Sequence, residues 1–126
     1  MKRILLLALL LPCAARAQAL AWEQTRTAMK VVQGGDKGTS EFRFKNTSAQ
    51  PVRIKWVTES CNCVAAKPEK RDYAPGETGV LPLTYTPKGS PGARAYRLFV
   101  ITDEKGIRPY ELKLEVTEVA KDRAAD

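Results

Sequence analysis

Residues 110–116 read YELKLEV, a stretch in which an apolar residue occupies every second position from Tyr110 to Val116. Successive side chains on a β-strand point to opposite faces, so this spacing predicts a strand with one buried and one solvent-exposed face. The same alternation occurs in EFRFK at 41–45, VRIKW at 52–56 and LPLTY at 81–85. Since no stretch shows sustained helical spacing, the chain is predicted to be all-β.

Turn-forming residues separate the alternating stretches at the spacing that is typical of an all-β sandwich or barrel. One turn is predicted at Asn46 and another at Pro75-Gly76. Proline presets φ for the second position of a turn, and glycine accepts the positive φ that a type II turn requires next. Between the turns we predict seven strands, at 25–32, 38–46, 51–58, 61–66, 78–86, 94–102 and 107–117.

The first 17 residues have the features of a signal peptide. A basic start and an apolar run at 4–11 precede the small residues of a cleavage site at 15–17. The cleavage pattern recurs at 17–19, and we place the cut after Ala17. The apolar run is shorter than the roughly 20 residues that a membrane-spanning helix needs. We therefore predict an exported protein that is periplasmic or secreted and has no stable membrane insertion after cleavage.

Cleavage after Ala17 leaves one predicted domain at 18–117 and a polar tail at 118–126. The full chain has a formal net charge of +7, which falls by three to +4 because Lys2, Arg3 and Arg16 are removed. So small a charge does not predict a nucleic-acid partner. The chain has no histidine, which excludes Ser-His-Asp and Cys-His catalysis. We predict a protein that is not an enzyme and has no cofactor.

Four short motifs follow one another along the domain: Phe42-x-Phe44-x-Asn46-Thr47, Pro51-Val52-x-Ile54, Ser60-Cys61-x-Cys63 and Pro75-Gly76-Glu77. In order and spacing they resemble the bacterial family called domain of unknown function 1573, over about residues 22–116. The resemblance implies an immunoglobulin-like β-sandwich of about seven strands, related to the Hydin-type domains of ciliary proteins. It implies an exported bacterial protein and no agreed biochemical activity.

The resemblance has one departure that bears on the cysteines. Asn62 stands where the family usually has glycine. Asparagine tolerates left-handed backbone better than other non-glycine residues. We therefore predict that Asn62 keeps the bend that the family implies between Cys61 and Cys63.

Cys61 and Cys63 admit three interpretations. In the first they form a disulfide, although residues two apart on a flat strand lie at or beyond the usual bridging distance. In the second they are buried thiols on the inward side of a short strand, together with Ala65. In the third they are a thiol-redox pair or a copper(I) site, since soft sulfur ligands select copper(I). The sequence leaves all three open.

Residues 96–102, YRLFVIT, break the alternation because both faces of this strand are apolar. In an immunoglobulin-like sandwich the strand lies centrally in one sheet, next to the strands at 51–58 and 107–117. An apolar outer face either binds something or is covered. We predict that Phe99 and Ile101 lie on this outer face.

Together with Val57, Phe99 and Ile101 are predicted to outline a surface for a protein partner or for self-association. The alternative is that residues 20–22 cover this face. The function predicted is an exported, non-enzymatic binding or structural module that contacts its partner through a sheet face or an open strand edge. The alternative function is a periplasmic thiol-redox or copper(I)-carrying protein that uses Cys61 and Cys63.

Overall fold

The computed structural model describes residues 18–121, so the predicted signal peptide lies outside the described residues. None of residues 18–121 forms an apolar helix of the length that spans a bilayer. The strands are β1 (Leu20–Trp22), β2 (Arg26–Val32), β3 (Gly38–Asn46), β4 (Val52–Glu59), β5 (Val64–Ala66), β6 (Asp72–Tyr73), β7 (Thr78–Tyr85), β8 (Gly92–Thr102) and β9 (Tyr110–Val119).

Two sheets form an immunoglobulin-like β-sandwich, which confirms the predicted fold. One sheet has the strand order β1-β3-β7-β5 and the other has the order β2-β9-β8-β4-β6. All the strand pairs are antiparallel except that of β2 with β9. The predicted central position of the YRLFVIT strand is confirmed, because β8 lies between β9 and β4.

The core lies between the sheets and is built from the alternate apolar positions of the long strands. On β9 the side chains of Leu112, Leu114 and Val116 are buried, as the YELKLEV pattern predicts. The inward side chains of β8 are also buried. Their outward neighbours Phe99 and Ile101 are only half-buried. Removal of apolar surface from water is the main stabilising contribution to such a sandwich.

A β-bulge in β4 overturns the predicted direction of two side chains. The alternation in VRIKW predicts Trp56 on the buried face with Ile54, and Val57 on the outer face. In the structure Ile54 pairs with Thr102 while Trp56 pairs with Ile101, so Lys55 is an extra residue. An extra residue reverses the alternation beyond it. Trp56 therefore points outward and is 56% exposed, and Val57 points inward opposite Val100.

The Pro75-Gly76 turn has the geometry that the sequence predicts. The Glu77 N–H donates to the Ala74 carbonyl at 3.0 Å, which closes a four-residue turn. Gly76 has a φ of 80°, the positive value that a type II turn requires. The Gly76 N–H donates to the carbonyl of Asn46 at 2.7 Å, so the two predicted turn residues meet. Asn46 itself is the last residue of β3 and is buried.

The last strand continues beyond the predicted domain end at 117. β9 runs to Val119, and the side chain of Glu118 is 1% exposed. Its carboxylate accepts a hydrogen bond from the Lys88 N–H at 2.8 Å and lies 3.6 Å from the Arg94 guanidinium. Because β9 extends to Val119 and these contacts offset part of the cost of the buried charge, residues 118 and 119 belong to the domain and not to the predicted tail. Residues 122–126 of that tail lie outside the described residues.

Candidate functional site

The outer face of the five-stranded sheet carries an apolar patch made of Trp56, Phe99 and Ile101, here called the Trp56 patch. Trp56 is directly opposite Ile101 across β4 and β8, and Thr58 is opposite Phe99. Side chains opposite one another in an antiparallel pair lie on the same face. Trp56 is the one large apolar side chain in residues 18–121 that is exposed to solvent. Sequence reasoning missed it because nothing in VRIKW indicates the bulge.

The other side chains of the predicted surface divide between the two faces. Phe99 and Ile101 point outward as predicted, whereas Val57 points inward and does not belong to the patch. The alternative, coverage by residues 20–22, is wrong because β1 pairs with β3 in the other sheet. Trp22 packs instead against Phe44, with ring centroids 4.8 Å apart.

A groove of about 290 Å³ adjoins the Trp56 patch and is here called the β4 groove. One wall is formed by residues 54–57 of β4, and the other is formed by residues 66–71, which connect β5 to β6. At the end nearest β5, the Glu59 carboxylate accepts a hydrogen bond from the Ala66 N–H at 3.2 Å. The lining is mostly basic, with Lys55, Lys67, Lys70 and Arg71 against the single acidic residue Glu69.

Two ion pairs lie beside the β4 groove. Arg53 donates to the Asp72 carboxylate at 2.7 Å, and this hydrogen bond, with smaller contributions from the charges of Arg71 and Lys70, lowers the pKa of Asp72. A hydrogen bond from Lys70 is likewise the main reason why the pKa of Glu77 is lowered. Both carboxylates therefore remain ionised well below neutral pH.

Cys61 and Cys63 lie in a turn and not in the strand predicted at 61–66. The Val64 N–H donates to the Cys61 carbonyl at 3.3 Å, and strand pairing resumes only at Val64. The turn brings the two Cα atoms to 5.2 Å, within the range of disulfides, and the two sulfur atoms are bonded. Among residues 18–121 only glycines have positive φ. The bend predicted at Asn62 is therefore present, but it is made without left-handed backbone.

The arrangement of β5 contradicts the interpretation of the cysteines as buried thiols. Val64 and Ala66 face inward, Ala65 is exposed, and both cysteines are only half-buried against the edge of the core. Within the described part of the chain, no group of three or more histidine, cysteine, aspartate or glutamate side chains is arranged to hold a metal ion. With its two sulfur atoms bonded, the cysteine pair has the geometry of a structural staple.

The family model described as "Protein of unknown function (DUF1573)" matches residues 20–117. The chain belongs to this family. The matched range includes Asn46 and the Pro75-Gly76 turn, which meet at the end of β3, and Cys61 in the turn before β5. No curated protein matches the sequence significantly.

Solved structures show which proteins share the fold of this DUF1573 domain. A protein of unknown function from Porphyromonas gingivalis W83 matches with a TM-score of 0.68 and 18% identity, over 79% of this chain and 46% of that one. The chain thus spans about half the length of that protein. The ASH/PapD-like domain 7 of human CEP192 matches with a TM-score of 0.67 and 8% identity, over 94% and 99% of the two chains.

A third solved structure with this fold is a chaperone. The Pseudomonas aeruginosa CupB2 chaperone matches with a TM-score of 0.55 and 17% identity, over 78% of this chain and 55% of the chaperone. Identities this low establish a common sandwich architecture for the DUF1573 domain and nothing about its partners.

Replacing both cysteines of the DUF1573 domain by serine is expected to lower the free energy of unfolding by only about 1.5 kcal/mol, because a cross-link over so short a loop constrains the unfolded chain little. The measurement is urea unfolding of the wild type and of the Cys61→Ser/Cys63→Ser variant, each with and without reductant. Reductant should shift the wild type towards the variant and leave the variant unchanged. A loss of the folded state in the variant would contradict a minor role for the staple.

Proposed function

We propose that this DUF1573 domain is an exported, non-enzymatic binding module that contacts a protein partner through the Trp56 patch and the adjoining edge of β4. The observation that carries the proposal is the outward position of Trp56, which the bulge at Lys55 imposes. A 56% exposed tryptophan next to two half-buried apolar side chains costs solubility unless a partner covers it. Tryptophan is also enriched among the residues that dominate binding energy at protein interfaces.

The non-enzymatic part of the proposal is supported by the side chains that the protein lacks and by its fold relatives. The sequence contains no histidine, so the commonest general base is absent. PapD-like and chaperone domains are among the solved structures with this architecture. Sheet faces and strand edges are the surfaces that sandwich folds offer to other chains.

Export is supported by the basic start, apolar run and small residues of the first 17 positions. Of the two cleavage patterns, the one that ends at Ala17 leaves the folded domain intact. Ala19 is 6% exposed, its N–H donates to Glu104 at 3.0 Å, and its carbonyl accepts from the Thr47 N–H at 2.8 Å. The mass of the exported protein should therefore correspond to a chain that begins at Gln18.

Photo-cross-linking in cells that export the protein tests the contact surface. Benzoylphenylalanine at position 58, opposite Phe99 on the outer face, is expected to give a discrete protein adduct after irradiation. The same probe at position 45, on an exposed outer position of the other sheet, is the matched control. Adding Trp56→Ser to the position 58 probe should lower the adduct yield at least about fivefold.

Three outcomes would each contradict a different part of the proposal. Equal adducts from positions 45 and 58 would show that contact is not specific to the Trp56 patch. No adduct from either position would contradict a stable protein partner. Retention of the whole protein in the cytoplasmic fraction would contradict export. An adduct of twice the domain mass would identify a second copy of this chain as the partner.

A further inference from the structure

The edge of β4 beside the Trp56 patch is open in the described part of the chain. β6 pairs with β4 only at Val52 and Arg53. The last backbone–backbone hydrogen bond on this side is from the Ile54 N–H to the Arg71 carbonyl at 2.8 Å. Beyond it, no strand in residues 18–121 is hydrogen-bonded to residues 55–59 in a sheet on the side away from β8.

The backbone groups on this edge alternate in direction. The Ser60 N–H donates to the Arg97 carbonyl of β8 at 3.0 Å. In an antiparallel pair, residues two apart direct their N–H and C=O groups to the same side, so Thr58 also faces β8. Val57 and Glu59 then direct their N–H and C=O groups to the open side. Unpaired groups of this kind form hydrogen bonds with an added extended chain.

The basic lining of the β4 groove favours an added chain that carries acidic side chains. Its lining has four basic residues and one acidic residue, and Lys70 is paired with Glu77. Within residues 18–121 neither Lys55 nor Lys67 forms an ion pair. The pKa of Asp72 is lowered first by its hydrogen bond with Arg53 and less by the nearby charges of Arg71 and Lys70.

We infer that the partner supplies an extended acidic peptide segment that adds to the open edge of β4, which presupposes the proposed function of this domain as a protein-binding module. Its backbone bonds to Val57 and Glu59, its carboxylates lie beside Lys55 and Lys67, and an apolar side chain packs against Trp56. A groove of about 290 Å³ has room for a few side chains and not for a folded element. An acidic polysaccharide could pair with the lysines and pack against the tryptophan. It could not form the regular series of backbone hydrogen bonds that the N–H and C=O groups of Val57 and Glu59 offer.

Binding of defined probes tests this inference without knowledge of the natural partner. The test probe is a fluorescein-labelled decapeptide of alternating glutamate and valine with one central phenylalanine. The same peptide with lysine in place of glutamate controls for charge, and fluorescein-labelled polygalacturonate represents an anionic glycan. Fluorescence anisotropy with residues 18–126 of the protein is expected to show binding of the acidic peptide, weakened by added salt, and no binding of the lysine peptide.

Charge reversal on the groove is expected to weaken binding of the acidic peptide about tenfold or more. The variant is Lys55→Glu/Lys67→Glu, and the matched control is Lys30→Glu/Lys45→Glu. The control changes the net charge equally at exposed positions on two other strands. Both variants should unfold at nearly the same urea concentration as the wild type. If both variants lost affinity equally, binding would depend on net charge alone and not on the groove, and the inference would be overturned.

Amide hydrogen exchange measured by nuclear magnetic resonance reports on the backbone ladder. Saturation with the acidic peptide should slow exchange at Val57 and Glu59 and leave Thr58 unchanged, because Thr58 already faces β8. If polygalacturonate bound without slowing amide exchange at Val57, the groove would be a glycan site, and the inference would be overturned. Failure of every probe would also overturn it, while an adduct from position 58 in cells would leave the proposed function standing.

Discussion

Replacing Gly79 by alanine is expected to lower the free energy of unfolding by about 3 kcal/mol. Gly79 lies opposite Phe44 across β3 and β7, and the absence of a Cβ leaves room for two aromatic rings. A Cβ at this position would lie 2.5 Å from Tyr73 Cε1 and still closer to Phe44 Cζ. Both rings are almost fully buried and packed against each other, with centroids 4.8 Å apart. Neither ring has space to move, so the added methyl group overpacks the core.

Gly38→Ala is the matched comparison for Gly79→Ala. Gly38 is also a strand glycine, but a Cβ there meets the Met29 sulfur at 2.6 Å and a methyl of Val31 at 2.7 Å. A thioether adapts more easily than a buried ring, so the loss should be clearly smaller. Urea unfolding of both variants measures the difference. An equal or smaller loss for Gly79→Ala would contradict the packing that places Gly79 beneath the two rings.

The long strands of this domain were predictable because their environment is simple. Each of β3, β7 and β9 has one face against the core, and burial on one face imposes a period of two on the sequence. The position of β8 between β4 and β9 followed instead from the immunoglobulin-like topology, in which this strand lies centrally in one sheet. β1 and β6 have three and two residues. Strands so short leave no period to read.

The candidate site was only partly predictable because it depends on a local irregularity. VRIKW reads as a regular strand, yet the bulge at Lys55 sends Trp56 to solvent and Val57 to the core. Sequence alternation carries no signal for one inserted residue when both neighbours are bulky. The groove next to the patch depends on where residues 66–71 leave β4. That path follows from tertiary packing and not from any motif.

Replacing Asn46 by alanine is expected to lower the free energy of unfolding by about 2–4 kcal/mol, because the side chain is buried and every polar atom in it is used. Its amide donates to the Gln50 carbonyl at 2.8 Å and to the Tyr73 carbonyl at 3.0 Å. Its carbonyl oxygen accepts from the Ser48 N–H and from the Ser48 hydroxyl. Alanine leaves the Tyr73 carbonyl buried without this donor. It also removes the hydrogen bonds that hold the loop after β3.

Asn46→Asp separates the loss of the two donors from the loss of volume. An aspartate keeps the acceptor for Ser48, but its ionised carboxylate faces the carbonyls of Gln50 and Tyr73 and cannot donate to either. Burial beside two carbonyls raises the pKa of this carboxyl above its unfolded value of about 3.9. The folded state then binds more protons than the unfolded state, so the stability of the variant falls as pH rises through that interval.

Urea unfolding of the wild type, Asn46→Ala and Asn46→Asp at pH 4.5 and pH 7 checks the direction of this effect. Relative to the wild type, Asn46→Asp should be less stable than Asn46→Ala at neutral pH and should recover part of the difference at the lower pH. Ser48→Ala is the control, because it removes only one donor to Asn46 and leaves both donated bonds intact. If Asn46→Asp were as stable as the wild type at pH 7, the buried amide could not be joining the end of β3 to the loop and to β6.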